Sequence, residues 1–280
     1  MATVGIVCAH YHEGYVTQTI RKLDQITAIV PVLHRAFVAN HEAAWLRLNE
    51  KLRGATPSSE VVHHDNSGTE FGAYQVGVDR LLAKCDPEWI LIANDTFATH
   101  SNFATGYRDK LVAELAHTRG TPTIIGRVES LPQTYELAGV RTHRWVTTSI
   151  FAINRSALEL LNGRVYRPAM EALVHDTSEL DAFFSSAVDP VLREHLEVWL
   201  FRTRPGWHWY AAEPLAAANV GKMAQKARSI LQEKALAAIL EGGSTAFVDL
   251  KQLSALRKIR RKLEDKVFEI RGKWRKPTRA

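Results

Sequence analysis

The sequence predicts an α/β fold, a mostly parallel central sheet with helices on both faces, followed by a helical C-terminal extension. Three observations predict it. Short apolar runs alternate with segments whose apolar residues recur at helical spacing. Several of those runs are nearly continuous, as strands buried on both faces must be. Three of the runs end in polar clusters, at 10–14, 65–68 and 94–96, which collect polar side chains along one edge of the sheet. With 280 residues, 46% of them hydrophobic, the chain can bury a sizeable core.

The elements follow in order. Residues 3–9 are an apolar run ending in the cluster His10-Tyr11-His12-Glu13-Gly14, and 16–23 read as a helix. Residues 28–33 are a second strand run, and 41–52 are amphipathic, with Trp45, Leu48 and Leu52 on one side. Val61 and Val62 open the stretch around which the chain is arranged. A turn at Asp65-Asn66-Ser67-Gly68 leads into a helix marked by Phe71, Tyr74, Val78, Leu81 and Leu82. After a break at Pro87 comes the run 89–93, which stops at Asn94-Asp95-Thr96. This strand delivers Asp95 to the carboxyl edge of the sheet, where open α/β sheets bind ligands.

Residues 103–116 read as a helix and 123–126 as a strand, whereas 129–144 are polar without a clear period and read as a long loop near a site. Residues 145–153 restore a strand and 156–161 a short helix. Ser178 is placed to cap a helix through Phe184, 191–202 form a better one, Pro205-Gly206 interrupts, and 207–210 read as a final strand. Beyond Gly221 two helical segments, 222–241 and 246–271, flank Gly242-Gly243-Ser244. The expected organisation is a body over 1–220 and a basic extension over 221–280.

No apolar stretch approaches the roughly 20 residues that cross a bilayer, and the N-terminus has no signal-peptide pattern, so a cytoplasmic location is expected. Cys8 and Cys85 lack CxxC spacing and read as buried thiols rather than as a disulfide or a zinc site. The net charge of +6 is uneven: residues 251–280 hold 12 Lys or Arg against 3 Asp or Glu, and the rest hold 24 against 27. The tail interleaves Leu250, Leu253, Leu256, Ile259, Leu263, Val267 and Ile270 with Arg257, Lys258, Arg260, Arg261, Lys262 and Lys266. A basic amphipathic helix of this kind suits an anionic membrane surface, which would make the protein peripheral on the inner face of the plasma membrane. A helix packed on the body with a solvated basic face is the alternative. No nucleic-acid motif accompanies the charge, and no nucleic-acid partner is expected.

Asn66-x-Gly68-x-Glu70-Phe71-Gly72-Ala73-Tyr74, the strand end Asn94-Asp95-Thr96, and Thr148-Ser149-Ile150-Phe151-Ala152-Ile153 before a helix together resemble the rhamnan synthesis protein F family. Arg193-Glu194-His195-Leu196-Glu197 and Pro205-Gly206-Trp207 resemble its late acidic helix and aromatic turn. The resemblance covers about residues 3–215 and implies a GT-A-like glycosyltransferase. It implies a nucleotide-sugar donor, often an activated deoxyhexose such as rhamnose, and a cell-surface or lipid-linked glycan as acceptor. It further implies Mg2+ or Mn2+ on the last acid of an Asp-x-Asp motif. Thr96 stands at that place, so the metal expectation rests on Asp95 alone.

Glycosyl transfer needs a base for the acceptor hydroxyl and positive charge for the leaving diphosphate. Glu194 and Glu197 share a helix face and are the expected catalytic acids, with a solvated face as the alternative. Donor binding is expected of His10, Tyr11, Asp65, Asn66, Gly68, Asn94 and Asp95, although a plain Asx turn accounts for 65–68 and helix capping for Asp95. Arg202, Arg204 and Arg144 are candidates for gripping phosphate. Two other functions fit parts of the pattern: a non-catalytic glycan-binding or assembly subunit, and a sugar-phosphate nucleotidyltransferase. The second needs a glycine-rich triphosphate loop, which residues 8–14 do not supply.

Overall fold

The computed structural model describes residues 2–54, 58–98, 105–206 and 208–252. It has the expected fold class. Its strands are β1 (Val4–His10), β2 (Val32–Ala39), β3 (Ser59–His63), β4 (Trp89–Asn94), β5 (Thr123–Leu137), β6 (Val140–Asn154) and β7 (Ala246–Asp249). They form one sheet in the order β3-β2-β1-β4-β6-β5-β7, in which only β6 runs against its neighbours. The helices are α1 (Val16–Thr27), α2 (Glu42–Leu52), α3 (Thr69–Leu82), α4 (Thr105–Leu115), α5 (Arg155–Leu160), α6 (Leu180–Phe183), α7 (Pro190–Phe201) and α8 (Val220–Gly242).

β1 is apolar throughout because both of its faces are covered. Val4, Ile6 and Cys8 pack with Leu23 of α1, Leu48 of α2 and Leu111 of α4. Val7 and Ala9, on the other face, pack with Tyr74 and Val78 of α3 and Leu236 of α8. A third cluster joins the far end of the β5–β6 ribbon to α6, α7 and α8. Cys8 is buried, Cys85 half-buried, and both are free thiols.

Four sequence expectations need correction. The second strand begins at Val32, because 28–30 close α1 and Pro31 follows. It then runs through His34 and Arg35, both buried, which hid it from a hydrophobicity pattern; Arg35 is held by Asp24 at 2.7 Å and Ser59 at 2.9 Å. The supposed loop 129–144 is the outer half of a long antiparallel ribbon, with a positive-φ turn at Ala138 and Gly139. Register shifts and mixed exposure along that half erase the strand period. Of 207–210, the described residues 208–210 are not a strand, and the Trp209 N–H donates to the Trp199 carbonyl at the end of α7.

The fourth correction concerns 221–280. α8 is buried along most of its length and packs on β6, and 246–249 form β7, parallel to β5, instead of opening a helix. The described part of this segment is therefore built into the body. Of the basic stretch assigned to a membrane surface, which starts at Leu250, residues 253–280 lie outside the described residues, and Leu250 is buried in the core rather than on a membrane-facing side. Among the described residues no helix is long and apolar enough to cross a membrane.

Candidate functional site

The sheet order reverses direction between β1 and β4, so the crevice beyond their carboxyl ends is the switch point at which α/β sheets take ligands. Asp95, one residue past β4, closes that crevice. Its Oδ2 accepts the backbone N–H groups of Tyr11 at 2.8 Å and His12 at 2.7 Å, which ties the end of β1 to the end of β4. Asp95 has no exposed surface, and its Oδ1 has no hydrogen-bond partner among the described residues. Burial pushes its carboxyl above the usual range, against the pull of the two N–H donors. Asp95 therefore caps the turn after β1, rather than the helix that follows it in sequence.

His10, the last residue of β1, is fully buried with Nε2 3.4 Å from Cys8 Sγ, and burial pulls its imidazole down to about 3. The folded state then binds fewer protons than the unfolded chain between pH 3 and pH 6.5. The stability from keeping His10 neutral is complete above pH 6.5 and is lost as pH falls toward 3, on the order of 5 kcal/mol in all. The raised carboxyl of Asp95 works in the opposite sense. Thermal midpoints measured from pH 7 to pH 4 are expected to fall less steeply in His10→Gln than in the parent; equal slopes would remove His10 as the cause.

The loop between β3 and α3 is strongly constrained. Asp65 Oδ1 accepts the Ser67 N–H at 2.9 Å, and Asn66 Oδ1 accepts Asn40 Nδ2 at 3.1 Å from the end of β2. Asn66, Gly68 and Thr69 all have positive φ, between 55° and 66°. At Gly68 a side chain would also meet the ring of Tyr166, 2.7 Å from where its Cβ would stand. The plain Asx turn is real, and it sets Glu70 in the first turn of α3. There Glu70 Oε2 accepts Asn94 Nδ2 at 3.1 Å and Oε1 accepts Ser229 Oγ at 2.6 Å. One carboxylate thus joins the end of β4 to α8.

A cleft opens from this junction. Its broad end, about 550 Å3, is walled by β5, β6, α7 and α8, with Trp145, His195, Trp199, Glu233 and Lys234 among its lining residues. Its narrow end, about 200 Å3, is bounded by Tyr11, Thr69, Trp209 and Lys222. Glu70, Lys226 and Ser229 line both ends. Lys226 sits over the rings of Trp199 and Trp209, at 5.9 and 5.8 Å. Glu233 Oε2 accepts the N–H and hydroxyl of Thr148 at 2.8 and 2.9 Å. Its enclosed carboxyl is raised by burial, although the residue as a whole is only half-buried.

The expected site residues divide into two groups. His10, Tyr11, Asp65, Asn66, Gly68, Asn94 and Asp95 come together at the carboxyl edge. Glu194, Glu197, Arg202 and Arg204 do not line the cleft. Glu194 is exposed and paired with Arg204, and Arg202 is an exposed residue ending α7 in the left-handed conformation. Glu197 is half-buried near Arg193 and Asp181, where burial raises its carboxyl. α7 turns His195, Leu196 and Trp199 to the cleft instead. Arg144 pairs with Glu241 at 2.9 Å and stacks on Phe247, 4.3 Å from the ring centre.

The residues missed are Glu70, Lys226, Ser229, Glu233 and Lys234. A faint signal existed on α8, because positions 226, 229, 233 and 234 share one helical face of an otherwise largely apolar helix.

The described residues do not fit a divalent cation. Among them no group of three or more His, Cys, Asp or Glu side chains is placed to hold one. Asp95 has no exposed surface, one of its oxygens serves two N–H donors, and both oxygens of Glu70 have side-chain donors. Mg2+ is commonly held by one or two carboxylates together with substrate phosphates and waters, and of these two acids only Asp95 Oδ1 lacks a donor, in a residue with no exposed surface.

No known family model matches the chain, and no curated protein matches it. Among solved structures it is similar to S. aureus TarS 1–349, at 15% identity and a TM-score of 0.39 over 60% of this chain and 50% of that one. The same TarS segment in complex with UDP gives 14% identity and a TM-score of 0.35, over 59% and 50% of the two chains. The chain thus spans about half the length of these structures.

Proposed function

We propose that the protein is a glycosyltransferase that moves a sugar, rhamnose or another deoxyhexose, from a nucleoside-diphosphate donor to a cell-surface or lipid-linked glycan. The motif resemblance supports this reading. The observation that carries it is the position of Glu70, the acid common to both ends of a cleft at the switch-point edge. The donor occupies the narrow end, against Tyr11 and Thr69, with its diphosphate toward Lys222 and Lys226. The acceptor enters the broad end. Glu70 takes the proton of the acceptor hydroxyl as that oxygen attacks the anomeric carbon from the face opposite the phosphate. The carbon–oxygen bond to the diphosphate breaks, and the lysines receive the charge that leaves with it. The product has inverted configuration. The basic segment 253–280 holds the enzyme at the anionic membrane where such acceptors reside.

The complete burial of Asp95 also favours a second reading, a glycan-binding subunit in which that acid is purely structural. Thermal stability against a panel of nucleoside diphosphates and nucleotide sugars separates the two, because a ligand at 100 times its Kd stabilises the folded state by about 2.7 kcal/mol. One nucleotide family is expected to raise the midpoint, with the shift surviving a chelator. A shift that requires Mg2+ or Mn2+ would return Asp95 to the role of metal ligand. No shift from any member at saturation would overturn the transferase reading.

A further inference from the structure

Building on that reading, we infer that the broad end of the cleft takes an anionic group of the acceptor, a sugar carboxylate or phosphate, on the ammonium of Lys234. Lys234 is 1% exposed and lines the cleft, yet its Nζ has no hydrogen-bond partner among the described residues. It rests on aromatic faces, 3.1 Å from the ring centre of Trp145 and 5.5 Å from that of Tyr135. Burying an ammonium without hydrogen bonds is costly, and an apolar side chain of similar length would fill the same space without that cost.

The carboxylates at this end already have their own donors. Glu233 holds Thr148, Glu129 is paired with Arg127 at 2.8 Å and Lys251 at 3.0 Å, and Glu70 holds Asn94 and Ser229. Glu233 offsets the charge of Lys234 through space without a hydrogen bond to it. Burial nevertheless brings the Lys234 ammonium down to about 7, the mark of a cation whose surroundings do not complete it. A neutral hydroxyl would fill one of its three donor positions, whereas an anion also balances the charge. His195, brought down to about 4 by burial and by Lys234 itself, is neutral at pH 7 and adds no competing charge. Leu131, Trp199 and Ile230 offer apolar surface to the sugar ring that carries the anion. Lys226 lies eight residues earlier, about 12 Å along the helix, so the two ammonium groups serve different parts of the ligand.

The test uses the full chain and three probes at matched ionic strength: glucuronate, glucose 6-phosphate and neutral glucose. Either anion is expected to raise the thermal midpoint at millimolar concentration while glucose does not, and the anion that does so identifies carboxylate or phosphate. Lys234→Met is expected to weaken anion binding at least tenfold and to keep any nucleotide shift. A glucose shift as large as the anion's, no shift from either anion, or an undiminished anion shift in Lys234→Met overturns the inference. If Lys234→Met does not fold, reductive methylation of Lys234 in the parent protein, read by peptide mass, decides. Protection by the anion supports the subsite and unchanged labelling at saturation overturns it. A nucleotide panel run alongside keeps the two readings apart, because loss of the nucleotide shift with the anion shift intact would sink the transferase reading alone.

Discussion

Gly72→Ala is expected to cost about 3 kcal/mol or more and to lower the thermal midpoint by roughly 6–12 °C. Gly72 lies in the first turn of α3, its N–H donating to the Gly68 carbonyl at 2.9 Å. A Cβ there would run into the carbonyl oxygen of Ser67. That oxygen is backbone and cannot rotate aside. The loop cannot yield cheaply either, since Asp65 holds the Ser67 N–H, Asn40 holds Asn66, and Tyr166 lies against Gly68. Relief would break these contacts and shift the edge assigned to the donor, so the nucleotide shift should weaken along with stability. Gly14→Ala is the control. It meets nothing within 4 Å and should stay within about 1 kcal/mol of the parent. A Gly72→Ala protein as stable as Gly14→Ala would mean that the Ser67 carbonyl does not cover the helix start.

The reach of the sequence follows from how far apart the interacting residues lie. Asn94 and Asp95 were legible because a buried parallel strand is a short apolar run with a polar end, and both features sit within seven residues. The turn at 65–68 was legible because Asx chemistry is local. The bond between Glu70 and Ser229 joins positions 159 residues apart, and no local period encodes it. For the same reason α8 was read as the start of an extension. Its lysines resemble a solvated basic face until the β5–β6 ribbon is known to lie against them. That ribbon was itself obscured by register shifts. On α7 the register misled: the acids drew attention, while one position between them, His195, turns to the cleft. Opposite faces of one helix turn are equally conspicuous in sequence, and only the packing partner tells them apart.

Glu70→Gln is expected to lower turnover by 10^2- to 10^4-fold, a barrier increase of about 3–5 kcal/mol, if Glu70 is the base. Glutamine keeps the shape and an oxygen to accept the Ser229 hydroxyl. The cost to folding is about 1 kcal/mol, because its amide would face Asn94 Nδ2, whose own oxygen is committed to Thr96 at 3.1 and 2.5 Å and is not free to swap. Donor binding should survive, since the narrow end keeps Tyr11, Lys222 and Lys226. The loss therefore belongs in kcat, measured as acceptor-dependent release of nucleoside diphosphate, with the donor shift unchanged. Glu197→Gln should stay within a few-fold of the parent, because its carboxyl lies beside Arg193 and Asp181, away from the cleft. Retention of more than a tenth of the activity by Glu70→Gln would dismiss it as base. A collapse in Glu233→Gln instead would move the base from α3 to α8, beside the lysine assigned to the acceptor. A collapse in Glu197→Gln alone would require α7 to turn before the acceptor is bound.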